Sequence, residues 1–453
     1  MNTSPEPIAI VGIGCRVPGA HGPDGFWRLL LEGVDAITEA PADRWDVDAL
    51  YHPDPAAPGR MSTRWGGFLT DLDAFDSDFF AIAPVEAASM DPQQRLVLVS
   101  TYEALQDAGI PAASLAGSRT GVFIGASSFD HGIRQLGDTA LAGPYTGTGS
   151  VLSIIANRVS YAFDLRGPSV TVDTACSSSL AAVHVACQAL RSGEVPLAVA
   201  GGVSVLLNPN PTIAFSKGGF MAADGRCKTF DHRADGYVRS EGVGVVVLRR
   251  LRDALEARDR IYAVIRGSAV NQDGRSNGLF APNRLAQEDL LREAYRNAGV
   301  DPLAVDYVEA HGTGTALGDP IEVGALATVL ASGRDGSHPL LIGSVKSNIG
   351  HLEAAAGIAG LIKTTLCLYH RTLVPSIHVE RPNPLLRLDR VPVRVQTTVR
   401  PWPEGPGRTP LAGVSSFGFG GANAHVVLSG HVSATPDSDA AAPGGPAPGP
   451  YLI

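Results

Sequence analysis

Short apolar runs edged by glycine recur along the chain: IAIVGIG from Ile8, GVFIGA from Gly121, SVTVDTA from Ser169, LAVAGGVSVLL from Leu197 and GVGVVVL from Gly242. Near-continuous apolarity over so few residues predicts strands covered on both faces. Between them, Pro92 to Ala108 and Ser177 to Leu190 read as helices; in the second, Leu180, Val183, Cys187 and Leu190 fall at roughly helical intervals. The later sequence repeats the alternation with IYAVIRGSAV, DYVEAHG, LLIGSVKS, a helix after Gly350, and VSSFGFGGANAHVVL, although literal sequence repetition is weak. Strands alternating with helices in both halves predict an α/β architecture. The apolar stretch from Ala354 to Leu368 is interrupted by Lys363 and polar threonines and is too short for a strong membrane span, so it predicts a buried helix.

Two helix starts carry local signals. Asp91, Pro92 and Gln94 fit an N-cap, a first helical residue and a third-position acceptor, and Asp319, Pro320 and Glu322 fit the same arrangement. Both sets of carboxylates are therefore read as structural rather than chemical.

With 44% hydrophobic residues, the 453-residue chain has material for an extensive core and two or three domain-sized units, which makes wholesale disorder an unsuitable reading. A formal charge of -9, with no basic stripe or zinc-finger spacing, gives nucleic-acid binding no support. The opening MNTSPEPIAIVGIGC lacks the positive region and separate apolar segment of a secretory signal. After Leu428 the chain turns rich in proline, glycine and alanine, which predicts a linker or the start of a following segment over 429–453, behind two halves at 7–255 and 256–428. Five cysteines cannot all pair within one chain and none forms a CxxC, so reduced thiols and a cytoplasmic setting are expected.

The candidate nucleophile lies in SVTVDTACSSSLAAVHVACQALRSG, where Cys176 falls between a strand-like run and a helix. Backbone N–H groups and the positive end of the peptide dipoles at such a helix start favour a thiolate. A packing cysteine fits the same residues, and the two readings stand side by side at this point. VEAHGTGTALGDPIE adds His311 after a strand-like run, and GSVKSNIGHLEAAAG adds Lys346 and His351 around another strand-to-helix transition. Their separations show no proximity; they matter only where the two halves bring their strand ends together. Zinc is disfavoured because HExxH and paired-cysteine spacings are absent, and GIGCRVPG and FGFGGANAH are poor dinucleotide fingerprints.

Taken together, DTACSSSL with Cys176, EAHGTGTALGDPIE with His311, KSNIGH with Lys346 and His351, and GFGGANAHVVL with Phe419 resemble the β-ketoacyl synthase branch of the thiolase superfamily, especially ketosynthase domains of bacterial type I modular polyketide synthases. DPQQR and RWGGFL add to the resemblance, which runs from about Pro7 through Leu428. It implies a thiolase-like duplicated αβαβα five-layered core, a homodimer, and the present cysteine and histidines at the junction of the halves. It implies partnership with an acyl carrier protein whose phosphopantetheine delivers thioesters, extender loading by a separate acyltransferase, and no bound redox cofactor or metal.

By the same resemblance, Cys176 carries the acyl group, and His311 and His351 stabilise the enolate formed when a malonyl-type extender loses carbon dioxide. Lys346 supports the histidine network, and the backbone N–H groups of Cys176 and Phe419 form an oxyanion hole beside Gly418, Gly420 and Gly421. Thr313 and Thr315 contact the pantetheine arm or satisfy strand-end amides, Asn348 orders its loop, and the Phe419 ring gates access. A thiolase would carry a second cysteine near the terminal glycine-rich region, where this chain has GFGGANAH. A non-elongating transacylation or scaffold domain is the alternative from another class.

Overall fold

The computed structural model describes residues 5–431 apart from 404 and 406. The first half contributes β1 (Ile8–Val17), α1 (Pro92–Asp107), β2 (Gly121–Gly125), β3 (Ser169–Val172), α2 (Ser178–Arg191), β4 (Leu197–Ser204) and β5 (Gly242–Arg250). The second contributes β6 (Ala263–Gln272), α3 (Arg284–Ala298), β7 (Tyr307–Glu309), α4 (Gly318–Leu326), β8 (Leu340–Gly343), α5 (Ala356–Tyr369), β9 (Val393–Val395), β10 (Leu411–Phe417) and β11 (Ala422–Ser429).

The strand orders β3-β2-β4-β5-β1 and β8-β7-β10-β11-β6 match position for position, with β9 added at the outer edge of the second. The pairing senses match as well: β2 is parallel to β3 and β4, as β7 is to β8 and β10, and the other pairs within the two five-strand arrays are antiparallel, while β9 joins β8 in parallel. A short antiparallel contact, Ile8↔Ile265 to Ile10↔Ala263, joins the two arrays through β1 and β6. The duplication that weak sequence repetition obscured is thus explicit in the topology.

Helices α2 and α5 pack against strands of both halves, α1 covers the outside of the first and α3 with α4 the outside of the second. Five layers result. Sandwiching explains the apolar runs: every residue of β4 is buried, and the whole of α5 as far as Leu368 is buried too. Close approach of the central layer needs small residues, since a Cβ on Gly125 would stand 2.4 Å from the Ser179 amide at the start of α2.

Asp91 caps α1 by accepting from the Gln93 amide at 2.8 Å, but Gln94 does not close a capping box; its side chain donates to Thr148 and Gly149 carbonyls. The second cap expectation fails differently. Helix α4 begins at Gly318 with Leu317 at the N-cap position, which leaves the Asp319 and Glu322 carboxylates free to turn back onto the loop before it. The segment 432–453, most of the expected linker, lies outside the described residues. Among the described residues no helix is long and apolar enough to cross a membrane.

Candidate active site

Cys176 lies two residues before α2, in the turn that follows β3. Ala175 holds the left-handed region at φ 55, a conformation that costs a non-glycine residue about 1–3 kcal/mol and persists only where neighbours fix it. The fixing groups are short hydroxyls: Ser178 Oγ accepts from the Thr174 amide at 2.9 Å and donates to the Ala175 carbonyl at 2.6 Å. From the second half, Ser416 Oγ on β10 donates to the Cys176 carbonyl at 2.7 Å. The sharp turn presents the thiol to a cavity of about 370 Å³ whose wall also includes His311, His351, Thr313, Thr315 and Phe419. Lys346 is not on that wall; it is buried, on the short helix Lys346–Ile349.

The two imidazoles are fixed alike. Nδ1 of His311 accepts from the Phe417 amide at 3.3 Å, and Nδ1 of His351 accepts from the Glu353 amide at 2.9 Å. An accepting Nδ1 places the proton of a neutral ring on Nε2. The ring centroids stand 5.4 Å apart and nearly perpendicular. Burial, followed by the Lys346 charge, holds both pKa values well below the ordinary 6.5, with His351 acting further on His311 and Arg239 on His351. Both rings are therefore neutral N–H donors at physiological pH.

Burial and then the Glu353 carboxylate push the Cys176 thiol up to about 12, against weaker pulls from Lys346 and from the amides of Phe419 and Cys176 itself. The helix start does not win here: desolvation of sulfur outweighs it, and the resting residue is a thiol. Those two amides nonetheless both act on the sulfur, so the Phe419 turn from the second half stands against the Cys176 turn of the first. Of the three glycines beside Phe419, two are required. A Cβ on Gly418 would meet the Thr174 carbonyl at 2.4 Å, Gly421 sits at φ 85 against Gln272, and Gly420 faces open space.

Glu322 shapes the His311 loop, accepting from the His311 amide at 2.7 Å and the Gly312 amide at 2.9 Å, while Asp319 accepts from Phe230 and Gly314. Burial raises these carboxyls to about 7 and about 6 respectively. Thr315 Oγ1 accepts from the Gly318 amide at 3.1 Å and pairs with Thr313 Oγ1 at 3.3 Å, so the amide-satisfying role falls to Thr315 while both line the cavity. Asn348 donates to the Val34 carbonyl at 3.0 Å, anchoring its loop. Behind Lys346, Glu309 accepts from the Val345 amide at 2.6 Å and the Tyr307 hydroxyl at 2.6 Å, and pairs with Lys363 at 2.7 Å.

Sequence reasoning missed Glu309, Arg239 and Glu353, and took Glu322 for a cap. Glu309 and Lys363 did leave a signal, because each is a charge inside an otherwise apolar run. The aromatic wall of Phe215, Phe220 and Phe280 left none, since Phe280 lies far along the chain from the other two and from Phe419. Phe419 stacks with Phe280 at 5.9 Å and meets Phe215 edge-on at 6.2 Å, at the half-exposed mouth of the cavity.

A duplicated five-layer core presenting one thiol and two neutral imidazoles in an apolar cavity defines an acyltransferase of the thiolase fold. The family description "Beta-ketoacyl synthase, N-terminal domain" matches residues 5–254, its C-terminal-domain counterpart matches 262–380 and "Ketoacyl-synthetase C-terminal extension" matches 382–453, so the chain belongs to the β-ketoacyl synthase family. It is 53% identical over 444 residues to one polypeptide of the phenolphthiocerol/phthiocerol polyketide synthase of Mycobacterium tuberculosis, covering 97% of this chain and 24% of that protein. A second polypeptide of that synthase, from the same organism, is 54% identical over 426 residues, covering 93% and 27%. The chain therefore spans about a quarter of the length of these relatives. Among solved structures, an oxazolomycin ketosynthase domain of Streptomyces albus JA3453 superposes with TM-score 0.90 at 46% identity, covering 95% of this chain and 77% of that one. The ketosynthase from module 6 of the bacillaene synthase of Bacillus subtilis 168 gives 0.87 at 42%, covering 94% and 72%. The chain is a ketosynthase, an enzyme of the acyltransferase class.

Proposed function

We propose that Cys176 accepts an acyl group from a phosphopantetheine thioester of an acyl carrier protein and condenses it with a carrier-borne malonyl-type extender loaded by a separate acyltransferase. In the first half-reaction the Cys176 sulfur bonds to the acyl carbon, the carrier thioester bond breaks, and the thiol proton leaves with the pantetheine thiol. The acyl oxygen lies between the Cys176 and Phe419 amides. In the second, the extender's carboxylate leaves as carbon dioxide and its electron pair forms an enolate, held by the Nε2–H donors of His311 and His351. The enolate carbon bonds to the acyl carbon, the Cys176 thiolate departs, and its high proton affinity draws a proton from solvent to restore the thiol. Lys346 keeps the imidazoles neutral from behind, without touching substrate.

The observation that carries this reading is the pair of neutral imidazoles with Nδ1 occupied by backbone amides, in one cavity with the thiol. A transacylation gate would need only the thiol and its oxyanion pair. Division of the chain into halves at 7–255 and 256–428 belongs to the same reading, supported by the repeated strand order. So does a homodimer: among the described residues β3 is an edge strand paired only with β2, and its Val170 is 41% exposed. Five free cysteines support a reducing, cytoplasmic setting.

His311→Ala and His351→Ala variants retain self-acylation of Cys176 and lose carbon dioxide release by about a hundredfold to a thousandfold, the effect of one oxyanion donor. Intact mass of the acyl adduct and trapped carbon dioxide measure the two steps separately. Normal extension by either variant with unchanged oligomeric mass and thermal transition would remove that histidine from the chemistry.

A further inference from the structure

One buried ion pair beside the cavity has no part in those steps. Arg239 and His351 pair through their backbones: the His351 amide donates to the Val238 carbonyl at 2.8 Å and the Ser240 amide to the His351 carbonyl at 2.9 Å. The Arg239 side chain forks onto Glu353, Nε to Oε1 at 2.5 Å and Nη2 to Oε2 at 3.0 Å. Its remaining Nη1 donates to Thr212 Oγ1 at 2.9 Å, on the helix Asn210–Lys217. The guanidinium also lies 5.4 Å from the centre of the Phe215 ring, which the same helix carries into the cavity wall.

Glu353 has an unusual backbone, at φ 48 without being glycine, and its N–H is the one that donates to His351 Nδ1. That left-handed conformation is strained for a glutamate, so something must fix it. The bidentate guanidinium does, since a planar fork allows the carboxylate one geometry. A buried pair of this kind contributes little net stability against apolar replacements, which directs attention to what its geometry holds.

We infer that the Arg239–Glu353 ion pair is a positioning unit for His351: it clamps the Glu353 backbone so that its N–H occupies Nδ1, and it ties that clamp to the cavity wall at Phe215. This rests on the function proposed above. Neither residue touches substrate. The Glu353 charge also opposes thiolate formation at Cys176, which supplies a readout that simple packing would not move.

The test uses Glu353→Gln and the paired replacement of Arg239 and Glu353 by methionine. The single variant leaves a buried guanidinium uncompensated and risks unfolding, whereas the pair removes both charges and keeps comparable volume. Acyl occupancy of Cys176, carbon dioxide release from acyl-loaded protein, and iodoacetamide alkylation of Cys176 against pH are measured on each. Lys346, His311, His351 and Tyr237 are the other ionisable groups nearest the thiol, with Asp235, Asp273, Asp319 and Glu322 also on the cavity wall, and all are unchanged. Self-acylation is expected to stay within about twofold, while carbon dioxide release falls on the order of tenfold, as when a functional histidine loses its hydrogen-bonded support. In Glu353→Gln, which removes the negative charge alone, the alkylation profile is expected to move to lower pH. A folded paired variant with wild-type carbon dioxide release overturns the inference, as does an unmoved alkylation profile in folded Glu353→Gln. Wild-type protein that takes no acyl group would instead sink the ketosynthase roles, while the alkylation profile still decides the electrostatic placement of Glu353.

Discussion

The loop after β3 and the loop after β8 occupy equivalent places in the two halves, each leading to a helix of the central layer, and they are built from opposite materials. The first holds Cys176 with short hydroxyls and backbone amides and no charged side chain of its own beyond Asp173, which accepts from the Ala175 amide. The second carries Lys346, His351 and Glu353, each tied to a buried partner or charge from elsewhere in the chain. The duplicated topology supplies two similar strand-to-helix corners that meet at one cavity; residue choice gives one a buried thiol and the other a frame of charges and imidazoles. Separation keeps the cation behind the imidazoles rather than beside the sulfur, so the same Lys346 that holds both histidines neutral only partly offsets the burial of the thiol.

The largest effect belongs to the first corner. Cys176→Ala is expected to lower extension on the order of 10⁴-fold or more and to abolish the substrate-dependent mass adduct, as removal of a covalent nucleophile does elsewhere. A stoichiometric adduct on buried Cys187 in that variant would take the nucleophile away from the corner altogether.

A smaller effect probes where the halves meet. Gly418→Ala places a methyl against the Thr174 carbonyl and must move the Phe419 amide from the sulfur, so acylation is expected to fall by about a hundredfold, near the loss of one oxyanion donor. Gly420→Ala meets open space and is expected to stay within about twofold of wild type. Equal behaviour of the two alanine variants in an acyl-loading assay would show that the oxyanion pair does not depend on this contact.

The smallest concerns the second corner and pH. Because both imidazoles titrate well below 6.5, carbon dioxide release from acyl-loaded protein is expected to hold level from about pH 6 to about pH 8, and an acidic limb centred near 6.5 would contradict the buried, cation-flanked placement. The stability consequence has a definite sign. The unfolded chain takes up these protons near 6.5 and the folded chain does not, so stability is present above that pH and is lost as pH falls below it. Replacing either histidine by asparagine removes up to about 1.4 kcal/mol per pH unit of that slope, measurable by denaturant titration at several pH values.

Much of this was legible along the chain. Apolar runs edged by glycine located nearly all the long strands because a sheet covered on both faces must be apolar throughout, and the four separated motifs around Cys176, His311, Lys346 with His351, and Phe419 marked segments that now surround one cavity. Asp91 was readable as a cap because capping is a contact between neighbours in sequence. Asp319 and Glu322 carried the same local pattern and were misread, because the amides of Phe230, Gly312 and His311 compete for those carboxylates and reach them only in the folded chain. Tertiary structure alone decided the protonation of the site: whether Cys176 rests as thiol, which nitrogen of each histidine bears the proton, and which buried charges face one another. Those depend on desolvation and on distances of a few ångströms between residues such as Arg239 and Glu353, 114 positions apart, which no sequence spacing encodes.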